Sequence, residues 1–258
     1  MATEKDLLIS KIFLRAVLPV TKVLIEDDPV MKKRFSGVNA KIQFQAKNNS
    51  DFIGTHLIIT NGELSISPEV IPDADIVFSF SSVEKMNDFF KGKLVLPSIK
   101  GLFKIGLLIK AFSLLLGTKI LMPDARPKDD AKKKLKVKMA FYMITTALSQ
   151  YNKAGDSEMV KWTKNQPERI YQITVEPGDI AAYLKVKAGK TKAGKGVYKK
   201  RRPFVHLKFN GINGAFPVIM NDVDMVEAVK RGYLEMSGSP EYGSGLGNFM
   251  KRIQELIT

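Results

Sequence analysis

The chain has 258 residues, of which 45% are apolar and 26% are charged, and its net charge is +15. This composition is that of a globular protein and excludes a disordered or fibrous chain. Cysteine is absent, which excludes disulfides, thiolate nucleophiles and thiolate metal sites and is compatible with a reducing compartment.

The predicted elements occur twice along the chain. Residues 28–42 return without gaps 128 positions later as residues 156–170, and matching apolar and turn positions follow. Solenoid repeats run at roughly 20 to 50 residues, so a period above a hundred indicates duplicated domains. The second copy has an eleven-residue insertion near residues 211–221. We expect a first domain at residues 1–121, a linker at residues 122–131 and a second domain at residues 132–258.

The first copy begins with an apolar segment at residues 7–25 that Lys11, Arg15, Pro19 and Lys22 interrupt. No small-residue cleavage site stands out, so we expect an amphipathic helix rather than a signal peptide, and a cytoplasmic protein that associates at most peripherally with a membrane. A helix at 29–35, strands at 42–46, 55–60 and 76–80, a helix from 82 to 92, a strand at 93–96 and an apolar helix at 102–116 follow.

The second copy repeats this order. Its predicted elements are helices at 135–151 and 157–163, strands at 170–175, 183–187 and 204–209, a helix from 222 to 232, a strand at 233–236 and a final helix. Asn61-Gly62 and Ala188-Gly189 mark hairpin turns, and the glycines at 243–247 are interpreted as a loop. The predicted fold class is α+β, with two similar domains that each have a mostly antiparallel sheet of about five strands covered by helices.

This succession resembles the sterol carrier protein type 2 family. The features that carry the resemblance are ADIVFSF at 74–80, VEKMNDFF at 83–90 and VDMVEAVKRGYLEMSG at 223–238. Gly232, Leu234, Met236 and Gly238 are similar to that family's glycine-bounded strand before a lipid-contacting helix. The resemblance implies an apolar tunnel that takes up sterols, fatty acids, acyl-coenzyme A or phospholipids without chemistry. Pro97 departs from the pattern and puts the first copy's pocket in doubt.

The helix at 102–116 has apolar residues on more than one face. One face suffices to pack on a sheet, so the other needs a partner: an acyl chain, the other copy, a second subunit or a membrane; plain core packing is an equal alternative. The predicted lipid-binding residues are Leu102, Phe103, Ile105, Leu108, Ile109, Phe112, Leu115, Phe78 and Phe80 in the first copy, and Leu246, Phe249, Met250, Ile253, Leu207 and Phe209 in the second.

Charge is concentrated in the second copy. Residues 1–120 have 16 basic and 12 acidic residues, whereas residues 131–258 have 23 and 11. A basic run predicts attraction to anionic membranes, although a merely solvated face is an alternative. The predicted docking residues are Lys185, Lys187, Lys190, Lys192, Lys195, Lys199, Lys200, Arg201 and Arg202. Nucleic acid is a disfavoured partner, because this basic run contains only one aromatic residue, Tyr198, on which a base could stack.

No motif predicts catalysis, a metal or a cofactor. GKTKAGK at 189–195 has P-loop spacing, but Gly196 stands where Ser or Thr must contact magnesium. His56 and His206 lie in strand patterns without a carboxylate at metal or triad spacing. We therefore expect no enzyme but a cytoplasmic protein that binds or transfers lipid. The alternatives are an oligomeric scaffold without ligand and a basic nucleic-acid-binding protein.

Overall fold

The structure is a computed structural model that describes residues 2–258. Residues 2–119 with residues 257–258 form one compact unit, unit 1, and residues 120–256 form a second, unit 2. Each unit has a five-stranded sheet with helices, so the chain is an α+β protein, as predicted. Within residues 2–258, no helix is both long enough and apolar enough to cross a bilayer.

Unit 1 builds its sheet from a hairpin and a parallel crossover. Its helices are α1 (Glu4–Ile12), α2 (Thr21–Asp27), α3 (Pro29–Phe35), α4 (Val83–Phe90) and α5 (Ile105–Thr118). Its strands are β1 (Ala40–Asn48), β2 (Asp51–Thr60), β3 (Glu63–Ser67), β4 (Ile76–Phe80) and β5 (Ser98–Lys100). The sheet order is β3-β2-β1-β4-β5, in which β1 and β4 are parallel and the other neighbours antiparallel.

The predicted helix at residues 7–25 is helical throughout but irregular in the middle. Between α1 and α2 the chain forms a π-helical turn at Phe13–Val17 and a 3₁₀ turn at Leu18–Val20. Pro19 has no N–H with which to continue the α-helical hydrogen bonds, which accounts for the change of geometry.

Unit 2 has the same plan. Its helices are α6 (Asp130–Lys153), α7 (Ser157–Lys164), α8 (Gly211–Ile219), α9 (Met225–Lys230) and α10 (Pro240–Ile257). Its strands are β6 (Arg169–Glu176), β7 (Ile180–Lys187), β8 (Lys190–Lys195), β9 (Val205–Asn210) and β10 (Leu234–Gly238). The order β8-β7-β6-β9-β10, with β6 and β9 parallel, matches that of unit 1 strand for strand.

The register of the two sheets corrects the sequence repeat by one residue. Ile42 lies beside Ile76 in unit 1, and the corresponding pair in unit 2 is Tyr171 beside Val205. Tyr171 therefore takes the place of Ile42, and the match of Ile42 with Ile170 is wrong within the strand. Because successive side chains of a strand point to opposite faces, this single residue decides which of them enter the core.

The repeat is correct in the preceding helix. Asp28 and Asp156, 128 residues apart, each cap a helix by accepting a hydrogen bond from the N–H of Met31 and Met159 at 2.9 Å. The offset grows by one afterwards because α7 has eight residues and α3 has seven.

The strand predicted at residues 93–96 is wrong. The final strand of unit 1, β5, lies beyond Pro97 and pairs with β4 over three residues, whereas β10 pairs with β9 over five. Proline has no N–H to donate to a neighbouring strand, so the ladder with β4 does not continue through Pro97 to residues 93–96. They form a loop instead.

Equivalent glycines bound this region in both units. Gly92 and Gly232 follow the preceding helix, and Gly101 and Gly238 end the strand, all four with positive φ. Eight residues separate the two glycines in unit 1 and five separate them in unit 2. The loop of unit 1 is therefore three residues longer.

Other differences from the predicted elements are local. The insertion of the second copy contains α8, whereas in unit 1 two residues connect β4 to α4. The sequence patterns did not predict β3 and β8, which complete the outer edges of the sheets. The loop predicted at 243–247 is wrong because these glycines lie inside α10. A Cβ on Gly243 would lie 2.9 Å from the sulfur of Met236, and one on Gly245 would lie 3.0 Å from the indole nitrogen of Trp162. Glycine thus lets α10 approach its neighbours.

Candidate functional site

The helix α5 packs through Ala111, Ser113 and Leu114, which are its buried side chains. It packs against α2 and α3, and a Cβ added at Gly117 would lie 2.7 Å from Leu24. The absence of a side chain at Gly117 therefore permits the close approach of α5 to α2.

The opposite side of α5 is apolar and exposed. Ile105, Ile109, Phe112 and Leu116 are all exposed, and their spacing places them along one side of the helix. We call these four residues the α5 stripe. Apolar residues normally occupy only the buried side of a helix in a globular protein, so α5 is unusual in exposing a second apolar side.

The corresponding stripe of unit 2 is covered. Counted from the equivalent glycines Gly101 and Gly238, the α5 stripe corresponds to Tyr242, Leu246, Phe249 and Ile253 of α10. The last three of these are buried, and the ring of Phe249 lies 5.5 Å from that of Trp162 in α7 and 6.4 Å from that of Tyr151 in α6. The same apolar spacing is thus packed in one unit and exposed in the other.

The loop before α5 extends this apolar surface. Phe103 is 100% exposed, Leu94 is 96% exposed and Leu96 is 88% exposed, and Leu102 is also exposed. We call residues 93–104, which include the short strand β5, the apolar loop. A fully exposed phenylalanine presents roughly 150–250 Å² of surface. Several large apolar side chains exposed in one segment of a globular protein indicate a binding site for a protein, a membrane or a ligand.

The surroundings of this surface are basic. Between residues 91 and 119 the sequence has six lysines and no carboxylate. Two of the lysines have acidic partners outside that range: Lys93 pairs with Asp88 at 2.7 Å, and Lys104 pairs with Asp75. The Nζ of Lys110 donates a hydrogen bond to a backbone carbonyl of α3.

Aromatic rings fill the core next to α5. Phe78, which is buried in β4, stacks on Phe44 at 4.9 Å and meets the edge of Phe112 at 5.4 Å. Phe80 packs against Phe89 of α4 at 5.1 Å. Of the predicted lipid-binding residues of unit 1, the structure therefore brings Phe78 and Phe112 into contact and leaves Phe80 in a neighbouring part of the core.

The remaining predicted lipid-binding residues have mixed burial. In unit 1, Leu108 and Leu115 are half-buried. In unit 2, Leu207 and Phe209 are buried in β9, where Phe209 stacks on Phe141 at 5.2 Å. Met250 is half-buried in α10. The residues of β9 and those of α10 thus pack with different aromatic partners.

Two surface grooves lie on unit 1. A groove of about 490 Å³ crosses the outer face of the sheet between Gln43, Ser79 and Lys100. A second, of about 220 Å³, lies between Leu7 in α1 and Phe52 in β2. Neither groove lies beneath α5. The apolar surface described above is therefore the exposed side of α5 and is separate from these two grooves.

The predicted basic residues of unit 2 do not form one surface. The strand alternation and register place Lys185, Lys187, Lys190 and Lys192 on the outer face of β7 and β8. Lys195 lies on the other face, with its Nζ 4.9 Å from the ring centre of Tyr142. The last four predicted residues, Lys199, Lys200, Arg201 and Arg202, lie exposed in the loop after β8.

Two of these lysines have an acidic partner. Lys185 and Lys187 lie 3.0 and 3.6 Å from the carboxylate of Glu168. The hydrogen bond between Lys185 and Glu168 raises the pKa of the lysine and lowers the pKa of the carboxyl. Tyr198 packs edge-on against Tyr183 at 5.0 Å, so the aromatic ring of the basic run already has a stacking partner.

A buried glutamine has the same role in both units and was missed by the sequence analysis. Gln43 and Gln172, each 1% exposed, occupy equivalent positions of β1 and β6. The side-chain oxygen of each accepts a hydrogen bond from a backbone N–H in the segment that crosses the sheet: Ile71 in unit 1 and Tyr198 in unit 2. The 129-residue spacing of these two glutamines was the available signal.

The two histidines have structural hydrogen bonds. His56 is buried, and its Nδ1 lies 2.9 Å from the carbonyl oxygen of Glu69. The Nε2 of His206 lies 2.8 Å from the hydroxyl of Thr174, and burial lowers the pKa of His206. Across residues 2–258, no three metal-ligating side chains are grouped in a way that could hold an ion.

Comparison with known proteins gives weak likenesses. No known family and no curated protein matches the sequence. Sterol carrier protein 2 like 2 from Aedes aegypti is 19% identical with a TM-score of 0.30, over 43% of this chain and 97% of that one. The palmitated protein from the same species is 18% identical with a TM-score of 0.30, over 42% and 90%. The inverting sec-alkylsulfatase Pisa1 from Pseudomonas sp. is 12% identical with a TM-score of 0.26, over 56% and 28%. At these TM-scores the likenesses carry no argument about function.

Proposed function

We propose that the protein binds or transfers lipid without catalysing a reaction, and that unit 1 holds the lipid-binding site. The single observation that carries this proposal is the α5 stripe, four apolar side chains exposed on a helix whose opposite side is packed. The ligand class is a sterol or an acyl lipid, namely a fatty acid, acyl-coenzyme A or phospholipid.

The site suits an extended hydrocarbon chain. The α5 stripe runs from Ile105 to Leu116, a length of about 16 Å at 1.5 Å per residue. Each methylene removed from water stabilises the complex by roughly 0.8 kcal/mol. Phe112 is exposed and also touches the core residue Phe78. The ring of Phe112 therefore joins the exposed stripe to the aromatic core.

The basic residues of unit 2 are proposed to attract the protein to anionic membranes. Each basic side chain near such a surface contributes up to about 1 kcal/mol. Lys199, Lys200 and Arg202 are exposed in the loop after β8 and are available for this contact. We place the protein in the cytoplasm, peripheral to membranes.

A second candidate function is favoured by the same exposed stripe. Two chains could cover their stripes by associating, as an oligomeric scaffold that holds no ligand. The nucleic-acid alternative has less support, because stacking on bases requires accessible aromatic rings and Tyr198 is packed against Tyr183.

Native mass spectrometry of the full chain, purified without detergent, tests the proposal. We expect a monomer with an added mass that organic solvent extracts as lipid. Replacement of both Ile109 and Phe112 by serine should remove that mass, whereas Val226→Ser is the matched control because Val226 is 66% exposed and lies in unit 2. An empty oligomer, or a lipid adduct that survives in the double variant, would overturn the assignment to the α5 stripe.

A further inference from the structure

The apolar loop differs from the corresponding segment of unit 2 in the residues before the last strand. In unit 2, Leu234 begins β10 and is 2% exposed, whereas the residue at the same distance before Gly101 in unit 1 is Pro97. In unit 1 the loop is three residues longer and Pro97 interrupts it, so Leu94 and Leu96 lie in solvent. Exposure of two leucines and a phenylalanine within ten residues, on either side of β5, is unfavourable in water, which indicates that another phase or molecule covers them.

We propose that the apolar loop inserts into the surface of an anionic lipid bilayer, so that Leu94, Leu96 and Phe103 enter the interfacial region and the neighbouring lysines contact the head groups. This inference deepens the proposed function and rests on it, because it gives the surface through which a lipid reaches the α5 stripe. The stripe begins at Ile105, directly after the loop.

Charge favours a bilayer as the occupant. The six lysines of residues 91–119 exceed the two carboxylates that pair with them, Asp75 and Asp88. Lys100 and Lys119 are both exposed. Lysine side chains can lay their apolar stems along a hydrocarbon surface while the ammonium group reaches the lipid phosphates. Exposed lysines in the same segment as exposed apolar side chains are therefore complementary to an anionic bilayer.

The same charge disfavours a second copy of the chain. A symmetric dimer brings the same patch of both subunits together, so two patches with an excess of lysine would meet. Like charges placed opposite one another are destabilising. An anionic membrane supplies the opposite charge and the apolar phase together.

Co-sedimentation of the full chain with vesicles tests the inference. The vesicles are pure phosphatidylcholine or a mixture of phosphatidylcholine and phosphatidylglycerol. We expect binding to the mixed vesicles, and each of Leu94→Ser and Phe103→Ser should weaken it about tenfold, from the loss of one large buried apolar side chain. The matched control, Val226→Ser, should bind like the unchanged protein.

Two further variants separate insertion from attraction. Compared with the unchanged protein, whose single tryptophan is Trp162, Phe103→Trp should show an additional blue-shifted emission when mixed vesicles are added, because an inserted indole leaves water. Replacing both Lys100 and Lys119 by glutamine should weaken binding to the mixed vesicles more than the same change at Lys199 and Lys200 in unit 2. At about fivefold per lysine, the expected loss is roughly 25-fold at low salt.

The outcomes distinguish this inference from the proposed function. Unchanged sedimentation of both serine variants, no emission shift for Phe103→Trp, or a greater loss from the unit 2 lysines would each overturn membrane insertion of the apolar loop. A purified chain that carries extractable lipid but does not bind mixed vesicles would leave the proposed lipid binding standing and refute both the insertion and the attraction of unit 2 to membranes. Vesicle binding by a chain that never carries lipid would refute the proposed lipid binding and leave the insertion standing.

Discussion

The burial of Lys136 predicts how the stability of unit 2 changes with pH, in direction and in size. It lies in α6 with 2% of its surface exposed, and its Nζ donates hydrogen bonds to the carbonyl oxygens of Met122 and Ala125 at 2.8 and 2.7 Å. These contacts tie the segment before α6 to the helix. Desolvation lowers the pKa of Lys136 from 10.5 to about 8, because a buried ammonium loses its hydration.

The lowered pKa makes unit 2 more stable as the pH rises. Below pH 8 the lysine is charged in the folded and unfolded states, and the full cost of burying the charge opposes folding. Between pH 8 and pH 10.5 the unfolded state binds more protons than the folded state, so the free energy of unfolding increases with pH. At about 1.4 kcal/mol per pKa unit, the gain from pH 7 to pH 10 is about 2.5 kcal/mol.

Urea denaturation at several pH values measures this gain. The chain has one tryptophan, Trp162, which packs against Tyr171 in unit 2, so its fluorescence reports the unfolding of that unit. Lys136→Met removes the titrating group, and subtracting its pH profile cancels the other groups that titrate in this range. Parallel profiles for the two proteins between pH 7 and pH 10 would refute the assignment of a buried, pKa-lowered Lys136.

Three substitutions test the fold of unit 2 by the same fluorescence. Gly238→Ala should cost at least about 2 kcal/mol, because a Cβ there would lie 2.0 Å from the carbonyl oxygen of Phe204 at a φ of +98°. Gly247→Ala, where a Cβ meets no atom within 4 Å inside α10, should instead stabilise by about 0.5–1 kcal/mol, and a loss there would contradict the helical assignment. Gln172→Leu should cost about 1–3 kcal/mol and speed proteolysis after β8, because the N–H of Tyr198 loses its buried acceptor; unchanged proteolysis would argue against that role.

Elements with their own local signals were predictable from the sequence. The helix at Pro29–Phe35 has its capping residue Asp28 and a proline in its first turn, and its predicted bounds are confirmed. The strand Ile76–Phe80 was likewise predicted to the residue. By contrast, β8 (KTKAGK) has little strand propensity and forms because β7 offers it an edge for pairing. A strand of that kind cannot be recognised from its own residues.

The apolar residues of the candidate site were predictable from the sequence, but which face of α5 is exposed was not. The spacing of apolar residues in α5 predicts two apolar faces, and the structure has both. Which face packs depends on Ala111 and Gly117, whose small size lets α5 approach α2. The exposure of Leu94 and Leu96 was missed because their alternation was interpreted as a strand, although Pro97 follows directly.

The differences between the units indicate a division of roles. The strand order and the buried glutamines Gln43 and Gln172 are shared, because they hold each sheet and its crossing segment together. The surfaces of the two units differ in charge and in apolar exposure, and the unit with more charge exposes fewer apolar residues in its last helix. Unit 2 has most of the net charge and buries the stripe of α10 under Trp162, whereas unit 1 has less charge and exposes the matching stripe of α5. Since an exposed apolar stripe costs stability unless a partner covers it, its presence in unit 1 is the physical reason for the proposal that unit 1 binds lipid, and the net charge of unit 2 is the reason for the proposal that unit 2 supplies long-range attraction.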